Sequence, residues 1–350
     1  MGKRKKIAVI FGGCSPEYKV SLQSAYAVAG HMDREKYEPV FVGISPEGTW
    51  YRFGGEEEKI AADTWCNAGD CIPAAVMPGR SGGCLLLLRG DKAEKCHIDG
   101  AFPVLHGKNG EDGTVQGMLE LADIPVVGCG TLSSALCMDK DRAHKLVSLE
   151  GIRVPKSFVL EKGADMGEVC AKAEEIGYPL FVKPVKAGSS FGVTKVYGAE
   201  ELPAAVEAAA AYDRKIIVEE GISGFEVGCA LLENNGLTVG EVDEIELADG
   251  FFDFEEKYTL RTSAIHVPAR IASEKAEEIK RTARIIYKAL DCSGFARVDM
   301  FLTDSGEIVF NEVNTIPGFT AHSRFPNMMK AAGISFGQIL SDAIEKAVGR

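Results

Sequence analysis

The chain has 350 residues, 39 Lys and Arg against 51 Asp and Glu, a formal net charge of −12, and 46% apolar residues. That length exceeds one ordinary core and predicts two or three domains, while the acidic balance argues against a nucleic-acid partner, which calls for a basic face. Ten cysteines are scattered with no C-x-x-C pair, so zinc and thioredoxin-like readings lose their main support.

The opening "MGKRKKIAVIFGG" has a basic run, but its apolar stretch stops at Gly12-Gly13, too short for a signal peptide. It reads as a first, buried parallel strand. A helix follows over 21–32, then strands "EPVFVGIS" and "AFPVLHG", a helix over Thr114–Leu121, and a strand "IPVVGCG" closing the first unit near Gly130. A helix over Ser133–Glu150 opens a second unit, with strand "SFVL", helix Val169–Ile176, strands "LFVKPV" and "FGVTKVY", an Ala-rich helix and strand "KIIVEE". The third unit starts near Gly221 with strands "FEVGCALL" and "TVGEVDEIEL", a long polar loop, a helix over 273–290, a hairpin and a C-terminal helix. The alternation predicts an α/β protein divided at 1–130, 131–220 and 221–350. The longest later apolar run, "CLLLLRG", is far below a membrane span. The expected setting is a reducing cytoplasm with free thiols and no membrane partner.

Polar chemistry gathers at the strand ends. In "FGGCSPEYKVSLQSA", Glu17 and Ser21 follow the first strand; a Glu near a helix N-terminus is commonly electrostatic, and alone Glu17 reads as structural. In "LHGKNGEDGTVQGMLEL", His106 stands at a strand's C-terminal end, the ligand edge of an open α/β sheet. The Gly-rich loop after it leaves helix N-terminal amides open, with Asp112 as a plain cap the alternative. In "FVKPVKAGSSFGVTKV", Gly188, Ser189, Ser190 and Gly192 can offer backbone amides and hydroxyls to phosphate, with Lys183 supplying charge. The stretch is neither a Walker A loop nor G-x-G-x-x-G, and an ordinary hairpin fits it equally well. "KIIVEEGISGFEVG" carries Glu219, Glu220 and Glu226, either around an adenine and ribose or as a solvated acidic link. "DGFFDFEEKYTLRTSAIHVPA" is long enough for a lid that could carry Lys257 and Tyr258 onto a substrate; His266 reads as structural.

The densest stretch is "FNEVNTIPGFTAHSRFP". Strands "ARVDMFL" and "EIVFNEVN" flank the turn "TDSG". Pairing them about Ser305 and Gly306 puts Asp299 opposite Glu312, with Asn314 and Arg297 on the same face. Two facing carboxylates repel unless a cation lies between them, and Mg²⁺ suits such oxygens when phosphates complete its shell. A solvated sheet face with incidental charges is the alternative.

Together, "HGKNGEDG", "MDK", "VKP…GSSFG", "EE…GFEVG", "EKY", "RVDMF" and "NEVNTIPGFTAHS" resemble the D-alanine–D-alanine ligases of the ATP-grasp superfamily, in order and over essentially the whole chain. "LHGKNGEDGT", "TLSSALCMDKDRAHKLVSLEGI" and "GFFDFEEKYTL" are especially similar to the vancomycin-resistance ligases, and among them to D-alanine–D-serine ligases of the VanG type. The resemblance implies an ATP-grasp fold of three domains, an N-terminal open α/β domain and two halves gripping ATP. Lys140, Lys183 and Lys257 would bind its phosphates; Glu219 and Ile222 would meet adenine; Glu226 would take the ribose; Ser189, Ser190, Glu220, Phe252, Asn311 and Glu312 would join the nucleotide site. Asp299, Glu312 and Asn314 would hold two Mg²⁺ ions, with Mn²⁺ an acceptable replacement. Glu17 would bind the amino group of the first D-alanine, with Ser21 and His106 beside it. Arg297 and the Gly318 amide would stabilise the oxyanion, and Ser323 would hold the second substrate's carboxylate. Glu17, Ser189 and Tyr258 would form the network that closes the lid, and a homodimer is expected.

Two departures from the D-alanine–D-alanine pattern, Ala187 before Gly188 and Arg324 after Ser323, are similar to the resistance ligases. Lys257-Tyr258 in the lid, without the His of D-lactate-using members, argues against D-lactate. Arg324 or its neighbours could bond a D-serine hydroxyl, giving D-alanyl-D-serine as the expected product. The rivals are a housekeeping D-alanine–D-alanine ligase and an inactive nucleotide-binding regulator, whose mark would be missing metal ligands.

Overall fold

The structure, a computed structural model, describes residues 4–67, 69–79, 82–247 and 263–349. Strands β1 (Lys5–Gly12), β2 (Tyr37–Ile44), β3 (Trp50–Phe53), β4 (Cys71–Val76), β5 (Cys84–Arg89), β6 (Lys92–His97) and β7 (Gly100–Pro103) form one sheet in the order β6-β5-β4-β3-β2-β1-β7. β1 is parallel to β2 and β7, and its run Ile7–Phe11 is buried throughout, which is why it reads as continuous hydrophobicity. A second, antiparallel sheet of β8 (Ser157–Glu161), β9 (Leu180–Pro184), β10 (Thr194–Val196) and β11 (Lys215–Glu220) runs β10-β9-β11-β8. A third holds β12 (Phe225–Glu233), β13 (Leu237–Val239), β14 (Asp243–Leu247), β15 (Ser263–His266), β16 (Phe295–Leu302) and β17 (Ile308–Asn314), in the order β15-β14-β12-β16-β17 with β13 on β12.

Several expected elements change. "IPVVGCG" keeps only an isolated bridge, Ala101 to Val126. The helix expected over Ser133–Glu150 is two helices, Thr131–Met138 and Lys140–Leu149. The break is Asp139, whose backbone is extended (φ −87°, ψ 96°) and whose carboxylate accepts from the Arg142 amide at 3.1 Å. It presents Lys140 as the first helical residue. The chain ends in two helices, Arg324–Ala331 and Phe336–Val348. These pack back onto the first sheet: Phe319, Phe325, Met328, Ile339 and Ile344 share a buried cluster with Ile7, Phe11, Leu22 and Phe102. Phe319 is fully buried and packs edge-on against Phe102 and Phe295, an anchor worth about 2–3 kcal/mol in area burial. It fixes the loop 315–323 against the first sheet. All ten cysteines are free thiols. No described helix is long and apolar enough to cross a membrane.

Candidate active site

The β16–β17 hairpin is built as expected at its inner end. Arg297 pairs with Asn314 and Asp299 with Glu312. Nearer the turn the register differs by one, Leu302 pairing with Ile308 and Met300 with Phe310, so Asn311 is an extra residue opposite no partner. This bulge is what puts Glu312 across from Asp299; without it the turn's own register would send Glu312 to the other face.

Asp299 is 1% exposed. Arg297 grips it through Nε–Oδ1 at 2.8 Å and Nη2–Oδ2 at 2.6 Å, and Asn314 Nδ2 donates to Oδ2 at 2.8 Å. Glu312 faces Lys140, with Nζ–Oε2 at 3.3 Å, while the same Nζ donates to the Ala187 carbonyl at 2.9 Å. A lysine thus stands where facing carboxylates demand positive charge. Among the described residues no three His, Cys, Asp or Glu come together as a metal cluster. The set that fits a cation is two carboxylates and the Asn314 amide oxygen, leaving positions for ligand oxygens, as Mg²⁺ with phosphates requires.

Between the second and third sheets lies a cavity of about 720 Å³, the size of a small-molecule site. Lys140, Lys183, Ser190, Glu219, Ile222, Glu226, Asn311 and Glu312 line it, with Phe181, Phe225 and Phe301 as apolar wall. Lys183 Nζ holds Glu219 Oε2 at 2.6 Å. Burial works against the Glu219 charge, but Lys183 and then His144 outweigh it and hold the carboxyl below its ordinary range. Glu220 also lines the cavity, and its carboxylate is engaged by Arg153, at 2.7 Å, and by the Lys156 amide, at 2.9 Å. Phe252, Lys257 and Tyr258 lie outside the described residues.

Beside the loop that brings Ala187 and Ser190 to the cavity, Glu17, 6% exposed, accepts a hydrogen bond from Ser189 Oγ. Ser189 (φ 50°) and Ser190 (φ 59°) are both left-handed, a conformation non-glycine residues adopt at some cost and one that collects at functional sites. Gly107 (φ +73°) lies so close that a Cβ there would stand 2.5 Å from Glu17 Oε2. His106 is buried and links two loops, with Nδ1 3.1 Å from the Ile316 carbonyl and Nε2 3.3 Å from Ser24 Oγ; burial pushes its pKa down. Ser21 is fully buried, and its hydroxyl accepts from the Gly12 amide at 2.8 Å and donates to the Val104 carbonyl, so it clamps the ends of β1 and β7 beside Glu17. Ser323 Oγ accepts from the Thr320 amide at 3.0 Å, and a Cβ on Gly318 would stand 2.7 Å from it, so the Gly318 backbone and the Ser323 hydroxyl share one turn.

Arg324 is set differently from its expected role as a ready donor. It is 7% exposed and bonds Asp243 twice (Nε–Oδ2 2.7 Å, Nη2–Oδ1 2.8 Å), Glu226 at 2.6 Å, and lies 3.5 Å from Asp299. Glu226, expected at the ribose, is therefore also a partner of Arg324. A Cβ on Gly228 would meet Arg324 Nη2 at 2.4 Å, so that glycine makes the room. Asp243 escapes sequence reading because "EVDEIEL" looks like a solvated acidic strand; the signal was an apolar pattern leaving Asp243 inward, where it is 0% exposed.

Glu111 is the other missed residue. Its carboxylate accepts from the Gly107 amide at 2.8 Å and the Ile316 amide at 3.3 Å, tying the two loops beside Glu17. The residue keeps some open surface, but its carboxylate is enclosed, and burial, then the Glu17 charge, push its pKa from 4.5 up to about 8. A raised acid pKa means the native state binds more protons than the unfolded one, so this stabilisation is complete below 4.5 and is lost as pH rises through about 8. Melting temperatures of Glu111→Gln between pH 5 and 8 should lack that decline; a decline equal to that of the parent chain would refute the assignment.

The family described as "D-ala D-ala ligase C-terminus" matches residues 146–345, and "D-ala D-ala ligase N-terminus" matches 6–129. The vancomycin/teicoplanin A-type resistance protein VanA of Enterococcus faecium is 46% identical over 350 residues, covering 99% of each chain. A D-alanine–D-alanine ligase of Caldicellulosiruptor bescii is 43% identical over 352 residues, covering 98% of this chain and 95% of its own. Among solved structures, VanG D-Ala:D-Ser ligase from Enterococcus faecalis aligns with TM-score 0.92 and 57% identity, over 99% of this chain and 100% of that one. The D-alanine–D-alanine ligase from Coxiella burnetii aligns at 0.89 with 31% identity. Family matches, relatives and fold agree: the chain belongs to the D-alanine–D-alanine ligase family of ATP-dependent ligases, with the ATP-grasp fold.

Proposed function

We propose that this ligase joins D-alanine to D-serine, making a modified peptidoglycan terminus of the kind that confers glycopeptide resistance. The observation that carries the choice of D-serine is the likeness to the VanG D-Ala:D-Ser ligase, at TM-score 0.92 and 57% identity. Arg324, bound to Asp243 and Glu226, stands behind Ser323 and shapes that subsite from the interior, and a site built for a hydroxyl discriminates against its absence.

Glu17 holds the first D-alanine by its ammonium, and the D-alanine carboxylate oxygen attacks the γ-phosphorus of ATP, releasing ADP and leaving D-alanyl phosphate. The D-serine amine then attacks the acyl carbon, phosphate leaves, and the amine loses a proton. Lys140 and Lys183 draw the phosphates into the cavity. Arg297 and the Gly318 amide act where negative charge develops on the acyl oxygen. Asp299, Glu312 and Asn314 would hold Mg²⁺, whose contribution is to offset charge on the transferring phosphoryl group. The same reading carries three domains near 1–130, 131–220 and 221–350 and a cytoplasmic homodimer, with one sheet in each domain as its support.

The test is a competition. The purified protein receives ATP, Mg²⁺ and D-alanine with equal D-serine, and the dipeptides are identified by mass spectrometry across a pH series. D-alanyl-D-serine as main product supports the proposal. D-alanyl-D-alanine as main product moves the enzyme to the housekeeping class, and no ATP-dependent product refutes both.

A further inference from the structure

His144 lies one turn after Lys140, 3% exposed, beneath the cavity and absent from its lining. Its Nε2 is 2.9 Å from the carbonyl of Asn311, the bulge residue of β17. A carbonyl can only accept, so Nε2 carries the hydrogen. Its Nδ1 then points at Glu219 Oε1, 3.9 Å away, and among the described residues neither atom has a hydrogen-bond partner. The ring packs edge-on against Phe310, next to the bulge. One side chain therefore touches both walls of the cavity: the strand end carrying Glu312 and the buried carboxylate that Lys183 grips.

We propose that His144 is a positioning residue for the reaction: its Nε2–H pins the Asn311 carbonyl, holding the bulge that sets Glu312 opposite Asp299. The proposal rests on the ATP-dependent reading above. An unpinned bulge can slide along β17, and a one-residue slide exchanges the faces of Glu312 and its neighbours. Fixing it costs one buried imidazole and no exposed group.

Three variants separate this from mere packing. His144→Gln keeps a donor at the reach of Nε2, His144→Asn reaches only the position of Nδ1, and His144→Phe removes both. Each is assayed for dipeptide formation, for the KM of D-alanine, and by calorimetry for binding of ADP with Mg²⁺ without amino acids. His144→Phe and His144→Asn should lose roughly 10–100-fold in kcat and weaken ADP–Mg²⁺ binding about 10-fold, with the KM of D-alanine held within about 2-fold, as for outer partners of a ligand set. His144→Gln should recover most of both. Gln and Asn variants that are folded and indistinguishable would overturn the role, whatever happens to the Phe variant. A parent chain that forms no dipeptide and binds no ADP–Mg²⁺ would overturn the functional reading, and this role with it.

Discussion

Glu312→Gln is expected to lower kcat for dipeptide formation by about 10³-fold, roughly 4 kcal/mol of transition-state stabilisation, which is the scale of a metal's Lewis-acid contribution. The substitution is close to isosteric. Glu312 sits at the cavity rim with its side chain 21% exposed, and Lys140, its partner at 3.3 Å, keeps the Ala187 carbonyl at 2.9 Å when the carboxylate is gone. A partly exposed ion pair contributes about 1 kcal/mol at most to stability, so the melting temperature should barely move. The two magnitudes decide the case. A large loss of kcat in a fully folded variant means the carboxylate serves the reaction. A variant with kcat within a few-fold of the parent would show Glu312 to be only the partner of Lys140, and the Asp299–Glu312 pair would cease to be a metal site.

Arg324→Leu is expected to do two things at once. Asp243 is 0% exposed and its carboxylate bonds Arg324 through both oxygens. Removing the guanidinium strands a buried charge, at a cost of about 3–5 kcal/mol. Asp299 loses less, because Arg297 still grips it at 2.6 Å. The preference for D-serine should fall in the same variant, since the polar pair behind Ser323 is gone. Instability alone could mimic lost selectivity, so the double variant Asp243→Leu with Arg324→Leu separates them. Replacing a buried pair by apolar groups is close to neutral, so thermal stability should largely return while D-alanyl-D-serine stays low in the competition assay. Stability and D-serine preference returning together would show that Arg324 acts only through folding.

Much of this site is legible in the sequence because its residues lie at strand ends, where alternation fixes the face. Asp299, Glu312, Asn314 and Arg297 follow from one hairpin and its turn. Lys183, Glu219 and Ser189 follow from strands and a Gly-Ser loop. What stays hidden is contact between segments far apart in the chain. Asp243 meets Arg324 across 81 positions, Glu111 meets Ile316 across 205, and His144 meets Asn311 across 167; no local period encodes such meetings. Ser21 shows the same limit: its place near Glu17 in sequence suggests substrate, while its hydroxyl also joins the Gly12 amide to the Val104 carbonyl 83 positions away. The break at Asp139 is also hidden, because "SSALCMDKDRAHKLV" has helical composition throughout and only the Asp139 cap interrupts it.

The bulge at Asn311 divides the hairpin into two halves that keep different time. From the turn to Met300 and Phe310 the strands run in one register; beyond it, where the chemistry gathers, they run in another. The outer half is thereby uncoupled from the inner one as a unit of inheritance. Residues between Thr303 and Glu307 can change, and the loop can grow, with the shift absorbed before it reaches Glu312. Straightening the bulge with every residue kept has no such buffer: Asn311 would then stand opposite Asp299 and Glu312 opposite Val298 on the other face, erasing the site while leaving a well-paired sheet.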